Sequence, residues 1–176
     1  ADKEEIGNMG ATGMQSSFFE DMVAEVLALT GEDSPVKVRR VLRNSCMLSS
    51  DVSAAYDPLY PEVFEKKNTA YFGRGLVLNK YTGSRGKNGT SDANAEYVAK
   101  VRNVFDNNHV AFQTAELGKV DQGGGGTIAY VMANKAMSVI DSGVAVLSMH
   151  APYEVTSKSD VYEVYRGYKA FLKDMK

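Results

Sequence analysis

The chain has 176 residues, 44% hydrophobic and 24% charged, with a formal net charge of -2. That size and balance suit one folded domain with a substantial core and exclude a disordered chain. Basic residues are scattered apart from Arg39-Arg40, so no stripe advertises nucleic acid, and the longest apolar run, around Val144 to Leu147, is far below the roughly 20 residues of a membrane span.

The first notable feature in chain order is a pair of adjacent carboxylates, Glu4 and Glu5, followed by a loop containing Gly7, Gly10 and Gly13. On locally extended backbone, neighbouring side chains point to opposite sides, so one carboxylate can hold a metal while the other handles a proton. Ser17-Phe18-Phe19-Glu20 has the spacing of a capping box, and Met22, Val23, Val26, Leu27 and Leu29 follow at helical spacing. They predict a helix from Ser17 to about Thr30, stopped near Gly31. Beyond Pro35, Val36 to Leu42 and Cys46 to Val52 are short, apolar and partly β-branched, and both read as strands, with Asp51 at the end of the second.

Asp57 to Thr90 reads as long loops punctuated by proline and glycine and interrupted by one strand, Leu76 to Tyr81. Loops of that length are usually functional or contact a partner. Ser91 is read as the cap of a second helix reaching Asn107, with Ala95, Val98, Val101, Val104 and Phe105 inward. Val110 to Ala115 is the next strand. Gly123 to Gly126 precede a third helix from Thr127 to about Met137, and Val139 to Met149 reads as a strand ending at His150. A last helix from about Ser159 to Met175 carries Val161, Val164, Tyr165, Tyr168, Phe171 and Leu172 on one face. This alternation predicts an α/β fold with its sheet between helices.

The single cysteine, Cys46, rules out an internal disulfide and a cysteine-based zinc site and points to a reducing, cytoplasmic setting, so any metal must use oxygen and imidazole. Of the two histidines, His109 lies at a helix-to-strand turn without acidic company and reads as surface, whereas His150 ends an apolar strand, where α/β sheets place ligands. Taken singly, Glu4-Glu5, Asp51 and His150 are most often a solvated pair, a turn or cap residue and a core histidine. Together Glu5, Asp51 and His150 supply two carboxylates and an imidazole suited to zinc, manganese or cobalt, leaving Glu4 as a base. Bare amides before a helix can cradle an anion, but no Lys-Ser or Lys-Thr follows Gly126, so the glycine run does not match a P-loop. It either lets substrate backbone approach closely or makes a flexible turn.

Asp2-Lys3-Glu4-Glu5-Ile6-Gly7 with Gly10-Ala11-Thr12-Gly13, then Ser50-Asp51-Val52-Ser53-Ala54-Ala55, Gly124-Gly125-Gly126-Thr127-Ile128, and Ser148-Met149-His150-Ala151-Pro152-Tyr153-Glu154 occur in one order along the chain. This set resembles the aspartyl aminopeptidase and vacuolar aminopeptidase I family. The resemblance implies a three-layer α/β/α sandwich with a mixed sheet, like other zinc exopeptidases of the phosphorylase/hydrolase-like fold. It also implies two divalent metal ions per active site, most often zinc, and removal of N-terminal amino acids from peptides. Glu4 matches the general base, Glu5, Asp51 and His150 match metal ligands, and Lys80, Gly124, Gly125, Gly126 and Thr127 match substrate contacts.

The family places a further histidine and a metal-bridging aspartate before the Glu-Glu motif. By that comparison residues 1–176 are the C-terminal part of the catalytic domain, without the first strands or the inserted oligomerisation domain, and are expected to be inactive alone. Family members form large homo-oligomers, commonly dodecamers. Two departures stand out: Ala54-Ala55-Tyr56-Asp57 replaces histidines common in aspartyl-specific members, and the loop from Tyr81 to Ser91, with Arg85 and Lys87, better matches the bacterial aminopeptidase I-like branch. The rivals are another dinuclear aminopeptidase or deacylase, and a non-catalytic assembly module.

Overall fold

The computed structural model of the chain describes residues 7–83, 91–119 and 121–176. In chain order its elements are α1 (Phe18–Ala28), α2 (Pro35–Arg43), β1 (Cys46–Ser49), β2 (Ser53–Ala54), a short 3-10 turn (Pro61–Val63), β3 (Leu76–Asn79), α3 (Ala95–Asn107), β4 (Phe112–Thr114), α4 (Ala129–Ala133), β5 (Ser138–Gly143), β6 (Ala145–Leu147), β7 (Val155–Thr156) and α5 (Lys158–Asp174). One sheet has the order β1-β5-β3-β4, with β1 parallel to β5, β5 antiparallel to β3, and β3 parallel to β4. A smaller one, β2-β6-β7, pairs β2 parallel and β7 antiparallel to β6.

Successive strand residues face opposite sides, and that alternation sorts the core into layers. Leu48, Ile140, Leu76 and Leu78 pack with Val101, Val104 and Phe105 of α3 and Ala170 of α5. Met47 and Val139, one residue out of phase, pack with Val23, Val38, Leu42 and Met132 of α1, α2 and α4. Helices therefore cover both faces of a mixed sheet, the α/β/α layering expected from the sequence, although a second small sheet extends it.

Ser49 lies opposite Asp141 in the β1–β5 pair, and Ser53 lies opposite Ala145 in the β2–β6 pair, so the same parallel register resumes after a lapse over 50–52. The second pair is closed by hydrogen bonds from the Ser53 amide to the Val144 carbonyl at 3.0 Å and from the Ala55 amide to the Val146 carbonyl at 2.8 Å. Gly143 makes the lapse sterically feasible, because a Cβ there would overlap the Asp51 carbonyl oxygen. The sequence suggested a single strand from Val139 to Met149; the structure breaks it at Val144.

Several local readings need correction. Val36 to Leu42 is helical rather than extended: Ser34 is extended, Pro35 occupies the first turn, and Leu42 is buried against the sheet. There tertiary packing overrides the β-branched preference of Val36 and Val38. Ser17 makes no side-chain cap, and Asn94, not Ser91, caps α3 by accepting from the Tyr97 amide at 2.7 Å. In α3 Tyr97 is buried and Ala95 is exposed, and α4 is only five residues long. On α5, Val161, Tyr165 and Leu172 face solvent, and the packed face runs through Val164, Gly167, Tyr168, Ala170 and Phe171. Among the described residues, no helix is long and apolar enough to cross a membrane.

Phe105 is fully buried between α3 and the sheet. Phe105→Ala is expected to destabilise the fold by about 3–5 kcal/mol through lost transfer energy and a residual cavity. Urea unfolding should show this as a lower midpoint at unchanged slope.

Candidate active site

A cleft of ≈ 800 Å³ opens where the β1–β5 ladder lapses, lined by Asp51 from the β1–β2 turn, Gly125 to Thr127 from the loop before α4, and His150 after β6. Leu117, Met149, Glu154 and Tyr168 complete much of its wall. The structure thus brings together four elements far apart in sequence. Glu4 and Glu5 lie outside the described residues.

The Asp51 carboxylate accepts the Val52 amide at 2.8 Å, which fixes its Oδ1 beside its own turn. His150 is held differently. It has φ 66 and Ser148 has φ 57, a left-handed conformation uncommon for residues other than glycine. The turn is closed by the Ala151 amide donating to the Ser148 carbonyl at 2.9 Å, and the His150 amide donates to Glu154 Oε1 at 2.5 Å. Such strain persists only where surrounding contacts over-determine it, and it concentrates at functional sites.

The glycine loop is fastened at both ends. The Gly123 amide donates to the Lys119 carbonyl at 2.7 Å, the Gly83 amide donates to the Gly125 carbonyl at 2.8 Å, and Thr127 Oγ1 donates to Asp141 Oδ2 at 2.9 Å. Gly124 and Lys80 are not among the described residues that line the cleft. Lys80 instead pairs with Asp92 at 2.5 Å and lies 5.8 Å from the Tyr81 ring centre. His109 is exposed, as expected.

Asp141, on β5, is 4% exposed, and burial pushes its carboxyl up to about 6. The nearby Ser49 and Thr127 hydroxyls pull it down, and the charge of Asp51 pushes it up. Ser49 and Asn79 face Asp141 from the flanking strands. Asp141 Oδ1, Ser49 Oγ and Asn79 Oδ1 are buried without a hydrogen-bond partner of ordinary geometry among the described residues.

Among the described residues, no three His, Cys, Asp or Glu side chains converge to hold a metal. Asp51 and His150 are a carboxylate and an imidazole on a cleft without a thiol, a donor set whose chemistry could hold zinc. The sequence reading missed Asp141, and it placed Tyr168 on the packed face of the last helix without marking it as a cleft residue. A lone carboxylate inside the apolar run Val139 to Met149 was the available signal for the first. Tyr168 gave none, since its spacing is that of an ordinary packed helix face.

The structure is a three-layer α/β fold that sets an aspartate and a strained histidine on one cleft. Residues 1–172 match the aminopeptidase I zinc metalloprotease (M18) family, and the chain belongs to it. It is 61% identical over 173 residues to a "Probable M18 family aminopeptidase 1" of Clostridium acetobutylicum, covering 98% of this chain and 37% of that protein. The crystal structure of aminopeptidase I from that organism superposes with a TM-score of 0.87 over 97% of this chain and 36% of the other. An M18-family aminopeptidase structure from Thermotoga maritima, 45% identical, gives 0.93 over 97% and 38%. The Saccharomyces cerevisiae mApe1 dodecamer, 26% identical, gives 0.76 over 98% and 36%. The chain therefore spans little more than a third of the relatives it matches.

The buried Asp141 carboxyl makes a pH prediction. Its raised pKa, against an ordinary 3.8, means the folded state holds a proton that the unfolded state releases between those values. The stabilisation is complete below about pH 3.8 and is lost as pH rises through about 6. Thermal scans of the metal-free protein should show the wild-type midpoint falling relative to Asp141→Asn over that interval. A constant difference would exclude a titrating Asp141.

Proposed function

We propose that residues 1–176 are the C-terminal part of the catalytic domain of a dinuclear zinc metalloaminopeptidase that removes N-terminal amino acids from peptides. The observation that carries this reading is the convergence of Asp51, His150 and Gly125 to Thr127 on one cleft, in a chain of the aminopeptidase I zinc metalloprotease family. Zinc, when bound, supplies Lewis acidity toward the scissile carbonyl and lowers the pKa of the attacking water.

In this reading the chain's own residues divide the remaining work. Glu5, Asp51 and His150 are metal ligands, with the rest of the shell contributed from outside residues 1–176. Glu4 takes the proton from the attacking water and returns it to the leaving amine. Gly124 to Gly126, lacking side chains, let the peptide backbone approach, and Thr127 holds the end of that loop through Asp141. Lys80 is assigned to the substrate as well, which requires its ion pair with Asp92 to open.

The same reading makes the complete protein a cytoplasmic homo-oligomer, dodecameric as in the mApe1 structure, and makes residues 1–176 inactive alone. In the complete protein, Glu4→Gln should keep its metal and lose about 10²–10⁴-fold in kcat, because it removes a base and not a ligand. Asp51→Asn and His150→Ala should instead lower zinc content measured by metal analysis. Full turnover in Glu4→Gln, or wild-type zinc content in both other variants, would sink the assignment.

A further inference from the structure

The geometry points to Tyr168 as a positioning residue for Asp51, an inference that rests on Asp51 being a metal ligand. Tyr168 comes from α5 at the opposite end of the chain, and its hydroxyl lies 2.8 Å from the Ser50 hydroxyl and 2.5 Å from the Ser142 carbonyl oxygen. A phenol has one proton, and a carbonyl only accepts. The Tyr168 proton therefore goes to the Ser142 carbonyl, and the Ser50 hydroxyl donates to the phenol oxygen.

Those two partners flank the lapse in the ladder. Ser50 directly precedes Asp51, and Ser142 directly precedes Gly143, whose backbone touches the Asp51 carbonyl. Paired strands do not fix the Asp51 turn over 50–52, and the Tyr168 hydroxyl spans that interval. The ring also lines the cleft. Burial raises the phenol pKa, so it remains a donor at neutral pH; the Ser50 and Ser142 hydroxyls oppose that shift, and the charges of Asp51 and Asp141 add to it.

Docking of α5 does not depend on this hydroxyl. Buried Asp160 accepts the Gly73 amide at 2.8 Å and the Gly75 amide at 2.9 Å, Arg166 donates to the Asn108 carbonyl at 3.0 Å, and Gly167 packs against Leu76 and Phe105. The helix is anchored elsewhere, which leaves the Tyr168 hydroxyl with a local task at the Asp51 turn.

Tyr168→Phe in the full-length protein keeps the ring and deletes both hydrogen bonds. Zinc affinity, measured by chelator competition, should fall roughly tenfold, the lower end for groups that orient a metal ligand. The unfolding midpoint of the metal-free protein should stay within a few degrees. Ser50→Ala, which removes one of the two bonds, should lose less affinity in the same direction. Wild-type zinc affinity in Tyr168→Phe overturns the proposal. So does an equal loss in Arg166→Ala, which loosens α5 away from Asp51. Asp51→Asn separates the two levels: wild-type zinc binding there removes the ligand assignment and this inference together, whereas weakened binding beside a neutral Tyr168→Phe removes only the positioning role.

Discussion

The parallel pairing of β1 with β5, which lapses and then resumes in the same register as β2 with β6, is the constraint on which the rest of the structure depends. A continuous ladder would bury Asp51 in a sheet with its side chain on one face. A lost register would separate it from the β6 end that carries His150. The lapse does neither: it keeps the two strands together and frees one turn to face the cleft. Gly143 permits the close approach, Tyr168 spans the interval from the other side, and the β6 register delivers His150 to the same opening.

The buried polar row Ser49, Asp141 and Asn79 lies at the edge of that lapse. A carboxyl kept out of water beside a second carboxylate favours its protonated form, and its one firm partner is the Thr127 hydroxyl. The glycine loop is thus tied to β5 through a group whose charge is suppressed. Among the described residues, the carboxylates lining the cleft are those of Asp51 and Glu154.

Much of the fold was legible in the sequence because period and polarity agreed. Leu76, Leu78, Val101, Phe105 and Ile140 were readable as core, and strands alternating with helices indicated the layers. Val36 to Leu42 misled because a helix presenting Val38 and Leu42 to a sheet uses residues that also suit a strand. Of the candidate site, Asp51, His150 and the glycine loop were visible as chemistry-bearing groups at element ends. The break at Val144, the tie from Thr127 to Asp141 and the reach of Tyr168 were not visible, since each depends on contacts between distant segments.

The left-handed turn at Ser148 and His150 carries one more consequence. Glycine or asparagine at either position would relieve local strain, and at position 150 that relief would cost the imidazole. If His150 is a metal ligand as proposed, that turn exchanges some stability for the placement of the imidazole on the cleft. Libraries screened only for heat resistance are therefore expected to erode this turn before they erode the sheet beneath it.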